Sequence, residues 1–448
     1  MSFFRAVPVG AVCLWWATWL PAAPLVEPVA APAPLREAVQ AVWQASPEVA
    51  AAKAGFDAAA AQARAAARPL YNPELQFEVE NADVDRRVAG VGLTLDLSGK
   101  RRARATQGEA VAQASEAAYA LARRDVATRW LKAWVAQAQA ARQIALGRQR
   151  VELMRRFDAL AAERLRVGDV SSPERDLAAL ALGEAQMQQA ALVGQEASAR
   201  AALTAIAGPA SSFPRKQEPG ALPSGPTPLA PGPRRDDGPV DLPPMPVGLP
   251  PPADSVAPVE VDVLPELAQA RAEQQAAAAG VRVARRARVP DPTVSLTGGE
   301  VRSGSRHDRV IGLNVSLPLP LLNSGSAEVA AALAEEDAAS ARRRASEFAQ
   351  HAGREAARVR YAALRETAGA FRQGRAGAFA ERTALLEKLW RAGEIGTGDY
   401  LTQLKQSLDT ALSGQELQAQ AWQAWFDHLA AAGRLNDWLD GRGTGVSP

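Results

Sequence analysis

Two carboxylates hold equivalent places in the two halves of this chain. Glu174 stands six residues after Gly168, and Asp399 six after Gly393. Each follows a glycine turn at the start of a predicted helix, where the helix dipole favours an acid. Trp390, Arg391 and Tyr400 flank the second turn. His307, His351 and His428 lie far apart without i, i+4 pairing, and no cysteine accompanies them. Such spacing yields no metal-ligand cluster. There is no Ser/His/Asp arrangement, no glycine-rich phosphate loop and no metal-hydrolase motif. The expectation is a protein that is not an enzyme and uses no cofactor, so any coupling energy must come from a partner. Two basic clusters remain. Lys100, Arg101, Arg102 and Arg104 follow Ser98-Gly99; Arg285, Arg286 and Arg288 precede Pro290. Such clusters could contact lipid phosphates, fix a junction between elements or simply be solvated helix ends. Cations at a helix C-terminus are also favoured by the dipole alone.

The positions recur because the architecture does. Ser46-Pro47-Glu48-Val49 returns as Leu264-Pro265-Glu266-Leu267, about 220 residues on. Val91-Gly92-Leu93-Thr94-Leu95-Asp96-Leu97 returns as Ile311-Gly312-Leu313-Asn314-Val315-Ser316-Leu317 at nearly the same offset, and Arg166-Val167-Gly168-Asp169-Val170 as Arg391-Ala392-Gly393-Glu394-Ile395. Each copy reads helix, two strands, very long helix, glycine turn, helix. The first copy spans 35–207, with strands predicted at about 74–81 and 88–97. The second spans 263–439, with strands at about 292–300 and 309–317. Residues 440–448 form a tail.

Leu35 to Arg68 reads as one helical region, ended by Pro69 and Pro73. In the first hairpin Leu75, Phe77 and Val79 alternate with Gln76, Glu78 and Glu80, and Val91, Leu93, Leu95 and Leu97 alternate with Gly92, Thr94 and Asp96. This pattern suits a soluble sheet and a lipid-facing barrel equally. No proline interrupts Lys100 to Leu165, which predicts a helix about 100 Å long. The second long helix is predicted over Ala327 to Trp390. Residues 208–262, dense in Pro, Gly, Ser and Asp, read as an extended linker without a core of its own.

The 448 residues suggest two or three domains. The balance of 51 basic against 49 acidic side chains excludes a strongly cationic nucleic-acid binder. Residues 1–23 read as a signal peptide: Arg5, then an apolar stretch from Ala6 to Leu20, with cleavage expected between Ala22 and Ala33. The only cysteine, Cys13, falls inside it; the preceding Gly10-Ala11-Val12 is a poor lipoprotein cleavage site.

Four strands cannot close a barrel, and lipid does not tolerate an open edge. If these strands face lipid, several copies must pool them; three copies give 12, and the long helices would continue the barrel as a tube. The predicted fold class is therefore mainly α with a small β part. It is a duplicated repeat whose long hairpins form a trimeric α-barrel, with four strands per protomer joining a shared 12-strand outer-membrane β-barrel.

The repeated plan resembles the TolC-like outer-membrane efflux proteins over nearly all of the chain except the linker and the tail. Three stretches resemble the cation-efflux (CzcC-like) branch: Tyr71-Asn72-Pro73-Glu74-Leu75 with Glu78-Val79-Glu80-Asn81, Leu97-Ser98-Gly99-Lys100-Arg101-Arg102-Ala103-Arg104, and Val167-Gly168-Asp169-Val170-Ser171. The resemblance implies a homotrimer in the outer membrane of a Gram-negative bacterium, in contact with its lipid and extending through the periplasm. It would be the exit duct of a tripartite pump, with a periplasmic membrane-fusion adaptor and an inner-membrane resistance-nodulation-division (RND) transporter. The implied cargo is divalent heavy-metal cations such as cobalt, zinc or cadmium. It implies that Asp399 and Glu174 ring the periplasmic aperture, where carboxylate rings favour cations. It also makes Trp390, Arg391 and Tyr400 candidates for gating the tip, and Gly99, Lys100, Arg101 and Arg102 candidates for the barrel–tube junction. The long proline-rich linker and the glycine-rich turn after Gly393 depart from the family plan. Competing readings are a duct for drugs or a secreted polypeptide, a periplasmic coiled-coil adaptor, and a soluble scaffold. An adaptor would need one hairpin flanked by compact β domains rather than two hairpins.

Overall fold

The computed structural model describes residues 30–81, 84–207, 242–246, 248–375 and 378–441. The signal segment with Cys13, residues 208–241 of the linker and the tail from 442 onward lie outside them.

The stretch read as one helix from Leu35 is two, α1 (Ala33–Ala45) and α2 (Pro47–Ala66). The break is at Ser46, whose ψ of 121° is the extended value imposed on a residue before proline. Pro47 then opens α2, where its missing N–H costs nothing. The chain continues through β1 (Glu74–Glu80), β2 (Val84–Thr94), α3 (Lys100–Arg166) and α4 (Ser172–Ala207). The second repeat supplies α5 (Pro265–Ala287), β3 (Thr293–Ser303), β4 (Arg306–Ser316), α6 (Ser326–Arg375), α7 (Ala378–Arg391) and α8 (Thr397–Ala431), then the short α9 (Leu435–Leu439). With 67 residues, α3 is a rod of about 100 Å. Among the described residues no helix is long and apolar enough to cross a membrane.

Both long hairpins turn in the same way. Gly168 and Gly393 take positive φ, 82° and 77°. Asp169 N donates to Arg164 O and Gly168 N to Leu165 O, just as Glu394 N donates to Leu389 O and Gly393 N to Trp390 O. These paired bonds satisfy helix-end carbonyls and need a left-handed residue, which glycine supplies.

The strands form one antiparallel sheet in the order β1-β2-β3-β4, so β2 and β3 join the two repeats. β2 starts four residues before the predicted boundary, and β3 and β4 run three residues further towards their shared turn. Apolar alternation fades there into Arg86, Arg87, Glu300 and Arg309, but the backbone ladder does not depend on side-chain polarity. β2 also ends earlier than predicted, because Asp96 turns away to cap α3.

The register gives the sheet two distinct faces. Leu75, Val91, Leu296 and Leu313 stand side by side across it, flanked by Phe77, Leu93, Ile311 and Val315. These apolar side chains are exposed, Phe77 at 77% and Ile311 at 86%. The other face carries Glu74, Gln76, Glu78 and Glu80 of β1 beside small residues, namely Gly90, Gly92, Ser295, Thr297, Gly299 and Gly312. It is the crowded face: a Cβ on Gly299 would lie 2.1 Å from Arg87 O, whereas one on Gly298, across the sheet, would have 3.9 Å to its nearest neighbour. In a membrane barrel such a pattern places the polar side inward and the apolar side outward. Gly299→Ala is expected to lower the melting temperature of the assembled protein, at a cost of about 1–3 kcal/mol typical of overpacking, while Gly298→Ala leaves it unchanged. Equal melting of the two variants would contradict the assignment of faces.

The helices pack around two cores. One, midway along the rods, joins Val39 and Val42 of α1, Trp130 and Trp134 of α3, Tyr361 of α6, and Trp425, Phe426 and Leu429 of α8. The other joins Met154, Phe157, Ala178, Trp390, Tyr400 and Leu404 near the glycine turns.

The C-terminal part of the linker departs from a free extended spacer. Met245 and Val256 are buried in the middle core. The segment lies on the helices through its carbonyls: Pro243 O accepts from Trp134 Nε1 (2.9 Å), Met245 O from Arg142 (2.9 Å), Gly248 O from Trp422 Nε1 (3.0 Å), Pro250 O from Arg365 (2.9 Å) and Ala257 O from Arg434 (2.8 Å). Pro251 O accepts the Tyr361 hydroxyl. Prolines offer acceptors without donors, and the helices answer with Trp, Arg and Tyr, whose long side chains reach outward to donate.

Candidate functional site

The predicted functional residues fall at two levels, the glycine turns at one end of the rods and the strand–helix junction at the other.

At the turns, the two carboxylates differ. Glu174 sits in the first turn of α4, and its Oε2 accepts from both Ser171 N and Ser171 Oγ at 2.8 Å. This is a capping arrangement, and the backbone bond first, then the hydroxyl, holds the carboxyl below its usual range. Asp399, in the first turn of α8, is exposed and makes no hydrogen bond or ion pair within the described residues. Of the two, Asp399 is the carboxylate left to solvent. No contact brings Glu174 and Asp399 together within one protomer.

The predicted gating residues also divide. Trp390 and Tyr400 are 2% and 1% exposed. Phe157 of α3 lies 4.5 Å from the Trp390 ring centre and 4.9 Å from that of Tyr400. Trp390 Nε1 donates to Thr397 Oγ1 at 3.2 Å, and burial pushes the Tyr400 hydroxyl up to about 12. Both rings are therefore packing residues within one protomer. Arg391 is exposed and pairs with Glu387 one turn back. The residue that links the two turns is Arg164, which sequence reading missed. Its guanidinium lies 4.7 Å from the Trp390 ring centre and donates to the last carbonyls of α7, Arg391 O at 2.7 Å and Trp390 O at 3.4 Å. A cation on a helix C-terminus is favoured by the dipole, so Arg164 clasps the second hairpin to the first. An arginine four residues before a turn glycine, with no acid at i−4 to hold it, was the available signal.

At the junction, Gly99 takes φ 71° and Asp96 caps α3, its two oxygens accepting from Lys100 N and Arg101 N at 2.8 Å. Burial pushes the Asp96 carboxyl up, but backbone donors from Arg101, Lys100 and Gly99 outweigh it and hold it below its usual range. Lys100 does not face solvent. Its Nζ lies 2.8 Å from Asp291 Oδ2, with side chains 15% and 3% exposed, and the Tyr71 hydroxyl donates to the same oxygen at 2.7 Å. Arg286 of the second cluster reaches Ser98 O, and Arg288 Nε donates to Ser324 O at 2.9 Å. The two basic clusters thus stand at one level and tie the repeats together. Arg101 and Arg102 point outward. Asp291 is buried and Tyr71 more open, at 36%; Tyr71 belongs to the Tyr71–Leu75 stretch of the resemblance, but no local pattern pairs it with Asp291, 220 residues on.

Among the described residues no group of three or more His, Cys, Asp or Glu could hold a metal ion. The arrangement is one of long rods, a four-stranded sheet with one exposed apolar face, and end turns held together by Arg164.

The chain matches the outer membrane efflux protein family over residues 38–209 and 264–433, one match per repeat. It is 27% identical over 277 residues to the cobalt-zinc-cadmium resistance protein CzcC of Cupriavidus metallidurans, a stretch covering 61% of this chain and 60% of that relative's length. Its fold is similar to a membrane protein of Pseudomonas aeruginosa (TM-score 0.69, 20% identity, covering 92% of this chain and 98% of that one). It is also similar to the outer membrane channel CmeC of Campylobacter jejuni (0.69, 16%, 90% and 86%) and to CusC (0.68, 14%, 90% and 93%). Matched over both repeats, the chain belongs to the outer membrane efflux protein family, the non-enzymatic efflux channels of the Gram-negative outer membrane.

Proposed function

We propose that this efflux channel is the exit duct of a tripartite RND system and that it carries divalent heavy-metal cations. The observation that carries the cargo reading is the similarity to CzcC, joined by the acidic inner edge of the sheet, where Glu74, Glu78 and Glu80 line β1 opposite the apolar face. Carboxylates along a lumen favour cations and repel anions. Periplasmic adaptor and inner-membrane transporter are the partners this reading requires, because nothing in the chain supplies energy.

The working unit is a homotrimer. β1 and β4 each leave one edge unpaired, which hydrocarbon does not tolerate; head-to-tail closure of three copies pairs every edge and gives 12 strands. The helices support the same arrangement. On α4, Ala178, Ala185 and Leu203 are buried within the protomer, while Leu177, Leu180 and Met187 face out; on α6, Phe348 and Val359 face out. A helix with apolar stripes on two faces needs a neighbour on each.

Deletion of the chain is expected to sensitise its host to cobalt, zinc or cadmium. Sensitisation to organic drugs alone would instead move the cargo to drugs. Within this reading Asp399 lines the aperture, with Glu174 behind it as a cap. Asp399→Ala is expected to raise single-channel conductance or abolish block by divalent cations, read in planar bilayers; unchanged conductance and block would remove the aperture role.

A further inference from the structure

Beyond the apolar band, the outward face of the sheet carries a second, cationic band. Continuing the register past Ala89, Gly298 and Ile311, the next row on that face is Arg87, Glu300 and Arg309, and the row after it Asp85, Arg302 and His307. Arg87, Arg302 and Arg309 are exposed, and none has a carboxylate within ion-pair distance among the described residues. Arg302 Nε donates to His307 Nε2 at 3.1 Å. The opposite face differs at the same height: Arg86 pairs with Glu78 at 3.8 Å and Arg306 with Asp308 at 3.0 Å. The inward guanidiniums are thus matched, and the outward ones are not.

Neighbouring strands lie about 4.8 Å apart, so Arg87 and Arg309 stand about 10 Å apart on either side of Glu300. Three guanidiniums face two carboxylates, Glu300 and Asp85, so capture of an anion here rests on directed hydrogen bonds more than on bulk charge. A guanidinium's planar fork matches phosphate oxygens in pairs. In an outer-membrane protein whose helical rods extend into the periplasm, this band lies at the headgroup level of the outer leaflet. We propose that Arg87, Arg302 and Arg309 bind the phosphate groups of outer-leaflet glycolipid and so fix the barrel's depth in the membrane. The proposal rests on the lipid-facing barrel of the preceding section.

The test uses the purified full-length protein, with bisphosphorylated lipid A and its dephosphorylated form offered in mixed micelles and retention read by native mass spectrometry. The wild-type chain is expected to retain the phosphorylated lipid about tenfold better, as charge-assisted hydrogen bonds would give. R87Q/R309Q should lose that preference, and R86Q, on the inward face, should keep it. Equal retention of both lipids by the wild-type chain, or a preference that survives in R87Q/R309Q, would overturn the proposal. Migration of the same samples on unheated gels reports assembly separately, so a preference lost in an intact R87Q/R309Q assembly is assigned to this site, and a wild-type assembly that shows no preference counts against the site without touching the duct reading.

Discussion

Asp291→Ala is expected to prevent stable assembly, because it strands a buried cation at the point where the repeats meet. Lys100 Nζ and the Tyr71 hydroxyl both depend on Asp291 Oδ2, at 2.8 and 2.7 Å. The carboxylate side chain is 3% exposed and that of the lysine 15%, so water replaces the lost partner poorly. Removing one member of such a pair costs about 3–5 kcal/mol. That is a large fraction of a stability of about 5–15 kcal/mol. The expected readout is a fall in the temperature at which the detergent-extracted assembly dissociates, or no assembly at all. Because a well-packed apolar pair can replace a buried ion pair at little cost, Lys100→Met with Asp291→Leu is expected to recover much of the loss. A single variant that melts like the wild type, or a double variant no better than the single, would show that the triad does not hold the junction.

Trp390→Ala is expected to open the far end of the tube. The ring is 2% exposed, stacked 5.6 Å from Tyr400 and tilted against Phe157 at 4.5 Å, with Arg164 over its face. Truncating a buried tryptophan costs about 3–5 kcal/mol, and here the loss is concentrated in the residues that join the two hairpin turns. The expected phenotype is leak, read as increased susceptibility to large antibiotics in a strain where the duct is produced at normal level. Arg164→Ala should give a milder leak, since the aromatic packing survives while the clasp on the α7 carbonyls is lost. Arg391→Ala should change little: its exposed pair with Glu387, one turn apart, is worth about 0.3–0.5 kcal/mol. If Arg391→Ala leaks as much as Trp390→Ala, the tip is held by surface contacts between protomers rather than by this core.

Much of this was legible in the sequence, and what was not has identifiable physical causes. The duplicated plan, the hairpins, the unbroken first rod and the turn glycines follow from periodicity and from residues whose backbone demands are unusual, such as Gly168, Gly393 and Pro73, whereas the helix expected over Ala327 to Trp390 is described as two, α6 and α7. The Ser46 break lay in plain sight as a pre-proline position, but the alanine-rich pattern on both sides masked it. Strand ends were misplaced because the ladder outlasts the apolar alternation. The clasp by Arg164, the Lys100–Asp291–Tyr71 triad and the docking of Pro243, Met245, Gly248, Pro250 and Pro251 all join positions more than 100 residues apart. Local pattern carries no trace of such pairings. Residue type alone placed Trp390 and Tyr400 with Arg391 as a group, whereas packing puts the two rings inside and the guanidinium outside. Glu174 and Asp399 share a spacing but not their hydrogen bonding, because Ser171 gives the first a cap to make.

The central claim is that three copies pool their strands into one outer-membrane barrel. The most direct measurement is gel migration of the detergent-extracted outer-membrane fraction with and without heating. The account predicts a species of three chains that falls to one chain on heating. A soluble periplasmic monomer, unaffected by heating, would contradict it.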